Sequence, residues 1–359
     1  MKILHIADCH LDSAMERHLP ARVAKTRRKE LLRTFSDTIE AASAEGVRVV
    51  LIAGDLFDTP IPAPSTVRYI CDCMEAHKET TFICIEGNHD RGALSGVPLP
   101  NNLRLVASGE GRAFRFGELC IYAAGYGTDT AILASFPCEK TDVNVLLLHG
   151  TLGVGRTEGH EEIIPLSFFE GKKIDYAALG HYHKQNALRL SGGGLACYAG
   201  VPEGRGFDET GECGVILYDT DTGEADFIPT ASRTLHDIAV DVSSCSSLRE
   251  MEEAVRRATD ALPAEDMVRL TLTGTVDDVF VKDTEQISLL LEEHFFFSTV
   301  KDKTRLALRA DRYRNDISLK GEFVRRVLAC EAYTEQERER ILSYGLRALA
   351  GEDPEDTLS

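Results

Sequence analysis

Short apolar runs, each followed by a polar segment, dominate the first half of the chain. They are rich in β-branched residues and have the length of about 4 to 8 residues that is typical of buried strands. The runs are KILHIA at the start, then VRVVLIAG (47–54), TFICIEG (81–87), VNVLLLHG (143–150) and YAALGH (176–181). We therefore predict five buried strands in this part of the chain.

A longer segment with helical periodicity separates the first two runs. Leu31, Phe35 and Ile39 recur at helical spacing, and Gly46 is a typical terminating residue. Strand, helix and strand in this order predict parallel pairing, a right-handed crossover and helices on the faces of the sheet. Loops at the carboxyl ends of such strands are common ligand sites.

Acidic, amide or imidazole side chains follow every one of these strands. If the first strand continues as an extended chain, Asp8 and His10 project to one side and Cys9 to the other. The other candidates follow the remaining four strands, and most lie at or near a glycine that permits close backbone approach: Asp55, Asn88, His89, Asp90, His149, His181 and His183. We expect all these side chains to converge at one locus.

This set of donors indicates a metal site. Carboxylate, imidazole and amide oxygen suit Mn, Fe, Zn or Mg, and differ from the thiolate sets of structural zinc. The ligands suffice for two ions. A carboxylate can bridge two metals about 3.5 to 4 Å apart, the arrangement used for in-line displacement at phosphorus, and Asp55 is the natural bridge.

Composition narrows the class of protein. A chain of 359 residues exceeds one ordinary core, which predicts two domains or one large domain with an appendage. The chain opens without a secretory signal pattern, and no apolar run approaches the roughly 20 residues that span a bilayer, so we expect a cytoplasmic protein without a membrane partner. Ten cysteines scattered in apolar contexts predict reduced, mostly buried thiols.

The net charge of −18 argues against a nonspecific nucleic-acid binder, which usually has a basic face. Bound divalent cations can nevertheless supply the local positive potential that a phosphate requires. The charge therefore excludes no phosphate substrate by itself.

The motif series D-x-H, GD-x-x-D, GNHD, a lone His and GH-x-H resembles that of the calcineurin-like metallophosphoesterases. Within that superfamily it resembles the SbcD-like nucleases of DNA double-strand-break repair, a branch of DNA repair exonucleases. The resemblance implies an α/β fold, an αββα sandwich followed by a small C-terminal α/β cap domain and terminal helices. The implied domains are a dimetal phosphoesterase (nuclease) domain at 1–232, a cap at 233–312, and a helical segment with a frayed acidic tail at 313–359.

The resemblance also implies the roles of the candidate residues. Asp55 would be shared by two metal positions, one completed by Asp8, His10 and His183 and the other by Asn88, His149 and His181. His89 would be free of metal and donate a proton or hydrogen bond to the phosphate, with Asp90 orienting it. Two Mn²⁺ ions are expected, with Fe, Zn or Mg as alternatives, and a bridging hydroxide would attack the phosphodiester.

Two departures from the phosphatases of the superfamily favour the nuclease branch. Those phosphatases have an Arg after GD-x-x-D and a Glu after GNH, where this chain has Thr59 and Asp90. The segment YAGVPEGRGFDE (198–209) resembles the Y-x-G-S-x-E-x-x-x-F segment of the nucleases, with Val201 in place of serine. Arg205 in this segment either grips a substrate phosphate or covers a turn.

Several other residues have two interpretations. Arg27, Glu30 and Phe35 resemble a family pattern in the first crossover helix, whose basic members would approach a DNA backbone or lie on a solvated helix face. Asp12 and Asp58 are either partners of the metal ligands or loop caps.

The composition changes after about residue 232. The segments LHDIAVDV, LREMEEAVRRATDAL, MVRLTLTGTV, EQISLLLEEHFF and TRLALRA alternate strand and helix without a ligand motif. Two amphipathic helices follow, and Thr334 with Glu337 forms a capping box at the second. Their apolar residues need a surface to bury against: Leu319, Phe323, Val327, Ile341, Leu342 and Leu346.

Three function classes remain open on this sequence. A DNA exonuclease or endonuclease accounts for the motifs, the cap and the terminal helices, whereas a hydrolase of nucleotides or other small phosphate esters suits the acidic charge better. A noncatalytic scaffold is disfavoured because every ligand position is filled. The implied partners are DNA, an SMC-like coiled-coil ATPase gripped by the C-terminal helices, and a second copy of the chain. The sequence has no Gly-Lys-Ser/Thr nucleotide loop, so any ATP dependence must come from another chain.

Overall fold

All five predicted strands and the first crossover helix are present in the structure, a computed structural model. It describes residues 1–15, 19–153, 163–277, 283–307, 313 and 315–349. The chain divides into two compact units, Met1–Thr234 and Leu235–Ser359. The prediction of a frayed acidic tail falls outside the described residues.

The first unit alternates strands with a few helices. Its strands are β1 (Lys2–Ile6), β2 (Val49–Ala53), β3 (Thr81–Ile85), β4 (Leu103–Val106), β5 (Gly111–Phe116), β6 (Leu119–Ala124), β7 (Val143–His149), β8 (Thr151–Gly153), β9 (Ile163–Pro165), β10 (Tyr176–Gly180), β11 (Asn186–Arg189), β12 (Leu195–Tyr198), β13 (Gly214–Asp219) and β14 (Ala225–Pro229). Its helices are α1 (Ala21–Ala44), α2 (Pro64–Ala76) and α3 (Thr130–Ala134), with a 3₁₀ turn at Leu166–Phe169.

Two six-stranded sheets form the frame of this unit. Sheet I has the order β14-β13-β1-β2-β3-β4. Its strands β1 to β4 are parallel, β13 is antiparallel to β1, and β14 is antiparallel to β13. Sheet II has the order β11-β12-β10-β7-β6-β5, with β12, β10, β7 and β6 parallel and antiparallel edges. The strands that precede the ligand candidates are thus divided between the sheets: β1, β2 and β3 belong to sheet I, and β7 and β10 to sheet II.

The sheets share a core formed by alternate residues of both. Val49 and Leu51 of sheet I belong to the same buried cluster as Val145, Leu147 and Tyr176 of sheet II. Their neighbours along each strand are buried on the opposite face, because helices and loops cover both sheets. The result is the mixed α/β fold that the sequence predicted, with the carboxyl ends of the ligand-bearing strands at one edge.

Arg27 lies in the interior of this unit, although it is a charged residue of α1. It is 0% exposed and bonds to Glu30 at 2.5 Å, to the Gly204 carbonyl at 2.6 Å and to the carboxylate of Glu203. Both interpretations of Arg27, contact with a DNA backbone and a solvated helix face, are therefore wrong. Its guanidinium links α1 to the loop after β12 through these bonds.

Replacing Arg27 with methionine is expected to destabilise the protein by about 3–5 kcal/mol, because Glu203 would remain buried without its cation. Chemical denaturation measures the loss. Arg33→Met on the same helix is the matched control: Arg33 is 77% exposed and paired with Asp37, so its loss should cost at most about 1 kcal/mol. Equal effects of the two substitutions would contradict this account of Arg27.

The second unit contains two small parallel sheets and four helices in its described part. Its elements are β15 (Leu235–Asp241), α4 (Leu248–Thr259), β16 (Met267–Thr273), β17 (Thr275–Asp277), α5 (Thr284–Glu292), β18 (Phe297–Asp302), β19 (Arg305–Ala307), α6 (Leu319–Ala329) and α7 (Glu335–Leu349). The order β15-β16-β18 forms the larger sheet and β17 pairs with β19. The strand β18 was not predicted.

The two terminal helices bury their apolar faces against each other. Val327 of α6 packs in one cluster with Leu342 and Leu346 of α7. The predicted capping box of α7 is confirmed, since the Glu337 N–H donates to Thr334 Oγ1 and the Thr334 N–H to the Glu337 carboxylate. Leu319 was expected on the buried face, and this is wrong: it is the first residue of α6 and is 73% exposed. Among the described helices, none has the length and apolar character needed to cross a bilayer.

Candidate metal centre

The first ligand segment leaves its strand earlier than predicted. β1 ends at Ile6, and Asp8 and His10 have φ of 49° and 45°, so the chain here is not extended. The reason is pairing with the loop after β2: the Asp8 N–H donates to the Gly54 carbonyl at 3.2 Å and the His10 N–H donates to the Asp55 carbonyl at 2.9 Å. The loop after β1 therefore stays beside the loop after β2, while the Cys9 side chain is buried in the core.

The Asp55 carboxylate lies at the centre of the site. Its Oδ2 is 3.7 Å from His10 Nε2 and 3.4 Å from His149 Nε2, and its Oδ1 accepts the His89 N–H at 2.9 Å. One oxygen of a buried carboxylate thus lies between two imidazoles that come from different sheets. Such a position suits a group that is shared by two cations.

The first group of side chains surrounds His10 and His183. Their Nε2 atoms face each other at 3.2 Å. His183 Nδ1 lies 2.8 Å from Glu209 Oε1. His10 Nδ1 lies 3.0 Å from Asp58 Oδ1, which is an ion-pair distance, but the direction of this contact does not suit a hydrogen bond. A protonated Nδ1 on each ring turns two Nε2 lone pairs towards each other, which is unfavourable without a cation or an extra proton. With the Asp8 carboxylate, these rings form one of the described groups that could hold a metal.

The second group surrounds Asn88. Its Oδ1 lies 2.8 Å from His149 Nε2 and 3.2 Å from His181 Nδ1. His149 Nδ1 lies 2.8 Å from the Ala53 carbonyl and must be the donor there, so Nε2 is the nitrogen turned towards the site. Amide oxygen and imidazole nitrogen converge here in a way that fits a divalent cation.

Burial and neighbouring charges shift the pKa of several of these groups. Burial raises the pKa of Asp8 to about 6, and burial lowers that of His10 to about 4. Burial alone would raise the pKa of Asp55, but the hydrogen bond and charge of His149 outweigh it and hold that pKa well below the usual range. Burial disfavours charged His149, yet the bond to Asp55 and the charges of Asp8 and Asp55 raise its pKa to about 9. Positive charge is therefore favoured at His149, between the Asp8 and Asp55 carboxylates.

Two glycines allow this close approach, as the sequence suggested. Gly54 has φ of 85°, and a side chain there would collide with the His149 ring. A side chain on Gly87 would collide with the Asp55 carboxylate. Each glycine is therefore required by a neighbouring ligand candidate.

His89 and Asp90 follow Asn88 but face different surroundings. His89 is exposed, with its ring edge-on to that of His10 and the centroids 4.9 Å apart. Asp90 is buried, and its oxygens accept the N–H groups of Gly87 at 2.7 Å and Leu56 at 2.8 Å. Asp90 was expected to contact the His89 ring, but its carboxylate oxygens accept hydrogen bonds from backbone amides instead. Asp90 holds the loop that carries His89.

The open interpretations of Asp12 and Asp58 are resolved by their contacts. Asp12 accepts the Ala63 N–H at 2.7 Å and so caps the start of α2. Asp58 lies beside the His10 ring and pairs with Arg205 at 2.8 Å, so it is a partner of the ligand candidates. The Arg205 guanidinium is thus engaged with carboxylates and does not simply cover a turn.

Sequence reasoning missed Glu209 and Tyr126. Glu209 is buried beside His183, and its only signal was membership of the 198–209 segment. Tyr126 lies with its ring 6.2 Å from that of His149 and beneath the Arg91 guanidinium, 4.1 Å away. Nothing in the sequence around Tyr126 resembles a motif.

Residues 1–185 match the family profile described as calcineurin-like phosphoesterase, which is more than half of the chain. The chain therefore belongs to the calcineurin-like phosphoesterase family. Members of this family are metallophosphoesterases with a dimetal site, and the clusters described above supply candidate ligands for one.

Three relatives illustrate where in the family the chain lies. It is 27% identical to the "uncharacterized metallophosphoesterase YhaO" of Bacillus subtilis, over 77% of this chain and 73% of the relative. It is 28% identical to the "DNA double-strand break repair protein Mre11" of Methanopyrus kandleri, over 72% and 63%. It is 23% identical to a protein of Staphylococcus epidermidis described as a subunit of the nuclease SbcCD, over 53% and 59%. The chain spans less than two thirds of the latter two.

Proposed function

We propose that this metallophosphoesterase hydrolyses phosphodiester bonds of DNA, as an exonuclease or endonuclease in DNA end processing. Relatives described as a double-strand break repair protein and as part of a nuclease support the substrate. Thr59 and Asp90, which depart from the phosphatase pattern, support the same branch.

The observation that carries the proposal is the convergence, around Asp55 at the end of β2, of side chains that follow the four other strands with ligand candidates. One metal would be held by Asp55 with Asp8, His10 and His183, and the other by Asp55 with Asn88, His149 and His181. Two divalent cations at such a site lower the pKa of water and neutralise charge on the phosphoryl oxygens when they are bound. We propose manganese as the metal, and metal analysis of the purified protein compares it with iron, zinc and magnesium.

The chain's own residues would orient this chemistry. Asp58 and Glu209 lie at the Nδ1 atoms of His10 and His183 and so keep Nε2 of each ring available as a ligand. His89 is exposed beside His10 and is our candidate for donating a proton or hydrogen bond to a phosphate oxygen. No covalent enzyme intermediate is required.

The net charge of −18 favours a second candidate, a hydrolase of nucleotides or other small phosphate esters. The proposals are separated by assaying linear duplex DNA, single-stranded DNA and bis-p-nitrophenyl phosphate in parallel with Mn²⁺. We expect metal-dependent cleavage of DNA as well as of the ester, with the Asp55→Asn variant as the background control. Hydrolysis of the small ester alone would contradict a DNA substrate.

We further propose an SMC-like coiled-coil ATPase as the partner of α6 and α7, and self-association of the chain. Ile317 and Leu319, 100% and 73% exposed, provide an apolar surface at the start of α6. Size-exclusion chromatography of the chain with and without such an ATPase tests both proposals. An unchanged elution of each component would contradict the ATPase proposal.

A further inference from the structure

Arg205 is held at the edge of the metal centre by two carboxylates. Its Nη1 lies 2.8 Å from Asp58 Oδ1 and its Nη2 lies 2.6 Å from Glu209 Oε1. The Arg205 backbone N–H also donates to the second oxygen of Glu209 at 2.7 Å. The guanidinium side chain is 17% exposed, so most of it is enclosed by these contacts.

The same two carboxylate oxygens face imidazoles of a single metal position. Asp58 Oδ1 lies 3.0 Å from His10 Nδ1, and Glu209 Oε1 lies 2.8 Å from His183 Nδ1. Each oxygen is thus shared between Arg205 and one ring. Arg205 therefore links the two rings whose Nε2 atoms converge.

We propose that Arg205 is a positioning residue for the metal held by His10 and His183. It fixes Asp58 and Glu209, whose carboxylates lie on the Nδ1 side of the two rings and hold the orientation of the rings through their charge. The inference rests on the proposed dimetal site. In this proposal Arg205 does not bind the substrate phosphate directly. It orients the residues that would bind the metal.

The chemistry of arginine suits this task. Its planar guanidinium presents donors along different edges and can bond to two carboxylates at once, whereas a lysine ammonium is a single compact charge. Glu209 is buried, and a buried carboxylate is costly without a cation beside it. Without Arg205, the two carboxylates would repel each other and release the rings.

The other metal position does not depend on this contact. His149 is oriented by the backbone carbonyl of Ala53, at 2.8 Å from Nδ1. Asn88 and His181 contact each other at 3.2 Å. Loss of Arg205 should therefore weaken one of the two metals and leave the other.

The test is a Mn²⁺ titration of the full chain. Binding is measured from the electron paramagnetic resonance signal of free Mn²⁺ and by calorimetry. For Arg205→Gln we expect one of the two sites to lose about 10- to 100-fold in affinity while the other is unchanged. Arg115→Gln is the matched control, since Arg115 pairs with Asp142 through two hydrogen bonds outside the metal centre. It should bind both ions as the unaltered protein does.

Arg205→Lys keeps the charge and serves as a second variant if the glutamine variant does not fold. It should also weaken one site, because one ammonium cannot hold both carboxylates in place. Unchanged affinity at both sites in either folded variant would overturn the proposal. Unchanged metal affinity with a raised KM would assign Arg205 to the substrate phosphate instead.

A double-mutant cycle separates an indirect action from a direct one. If Arg205 acts through Glu209, the combined Arg205→Gln and Glu209→Gln substitutions should weaken the site less than the sum of the single effects. Full additivity would contradict that route. The readout is metal binding and not DNA cleavage, so two bound ions without nuclease activity would refute the DNA substrate and leave this inference standing.

Discussion

Replacing Asp55 with asparagine is expected to remove metal binding and phosphodiester cleavage together. The amide has nearly the shape of the carboxylate but lacks its charge, and it cannot present two equivalent oxygens. Oδ2 of Asp55 lies between His10 and His149, so the substitution alters the group that both metal positions would share. Metal stabilisation of the transition state amounts to several kcal/mol, and about 4 kcal/mol corresponds to about a thousandfold loss of turnover.

Elemental analysis and cleavage assays on the same preparation measure both effects. Asp37→Asn makes the identical chemical change on the exposed side of α1, where Asp37 pairs only with Arg33 in the contacts described. It should retain both ions and full turnover. An Asp55→Asn variant that kept two bound ions would show that Asp55 is not their bridge.

The fold of the first unit was predictable because its signals are local. Strands that are buried on both faces must be apolar throughout, and a ligand that follows such a strand interrupts the run visibly. Asp55 after β2 and His149 at the end of β7 are examples. Parallel strands have their carboxyl ends at the same edge of a sheet. The convergence of the ligand candidates at that edge could therefore also be predicted.

The backbone of the first ligand segment could not be predicted in the same way. Alternation along an extended chain placed Asp8 and His10 on one side, yet both residues have positive φ. The conformation is imposed by hydrogen bonds that Asp8 and His10 donate to carbonyls of the loop after β2, more than 40 residues away in sequence. The alternation of residues along a short segment contains no information about that neighbour.

Paired charges were another failure. Arg27 has a polar position in the helical pattern of α1, and its burial is made favourable by Glu30 together with Glu203, which lies 176 residues away. Glu209 is similarly explained only by His183. Pairs of this kind are determined by tertiary packing, and each partner alone resembles an ordinary surface residue.

The strand β18 (Phe297–Asp302) of the second unit was missed for a different reason. Its sequence FSTVKD contains only two apolar residues, Phe297 and Val300, and its buried position is occupied by Ser298. Neither an apolar run nor strict alternation marks this segment, so the hydrophobic pattern alone did not predict a strand there.

Replacing His89 with alanine is expected to keep both metals and to reduce turnover by about 10²- to 10⁴-fold, the usual contribution of a positioned proton donor. The His89 ring is exposed, whereas its backbone N–H supports Asp55 at 2.9 Å and survives the substitution. The change should therefore remove the exposed side chain that would face the substrate and leave the Asp55 carboxylate in place.

The metal content of the His89→Ala variant is the decisive readout. Ligand atoms of His89, His10 and Asp58 lie within 4.8 Å of one another, so the geometry also permits His89 to hold an ion. If the variant lost one metal together with its activity, His89 would be a ligand; full activity would leave it without a role in turnover. His77→Ala, the same substitution beyond the end of α2, should change neither metal content nor rate. Retained ions with slow cleavage in His89→Ala alone would be the signature of a proton or hydrogen-bond donor to the phosphate.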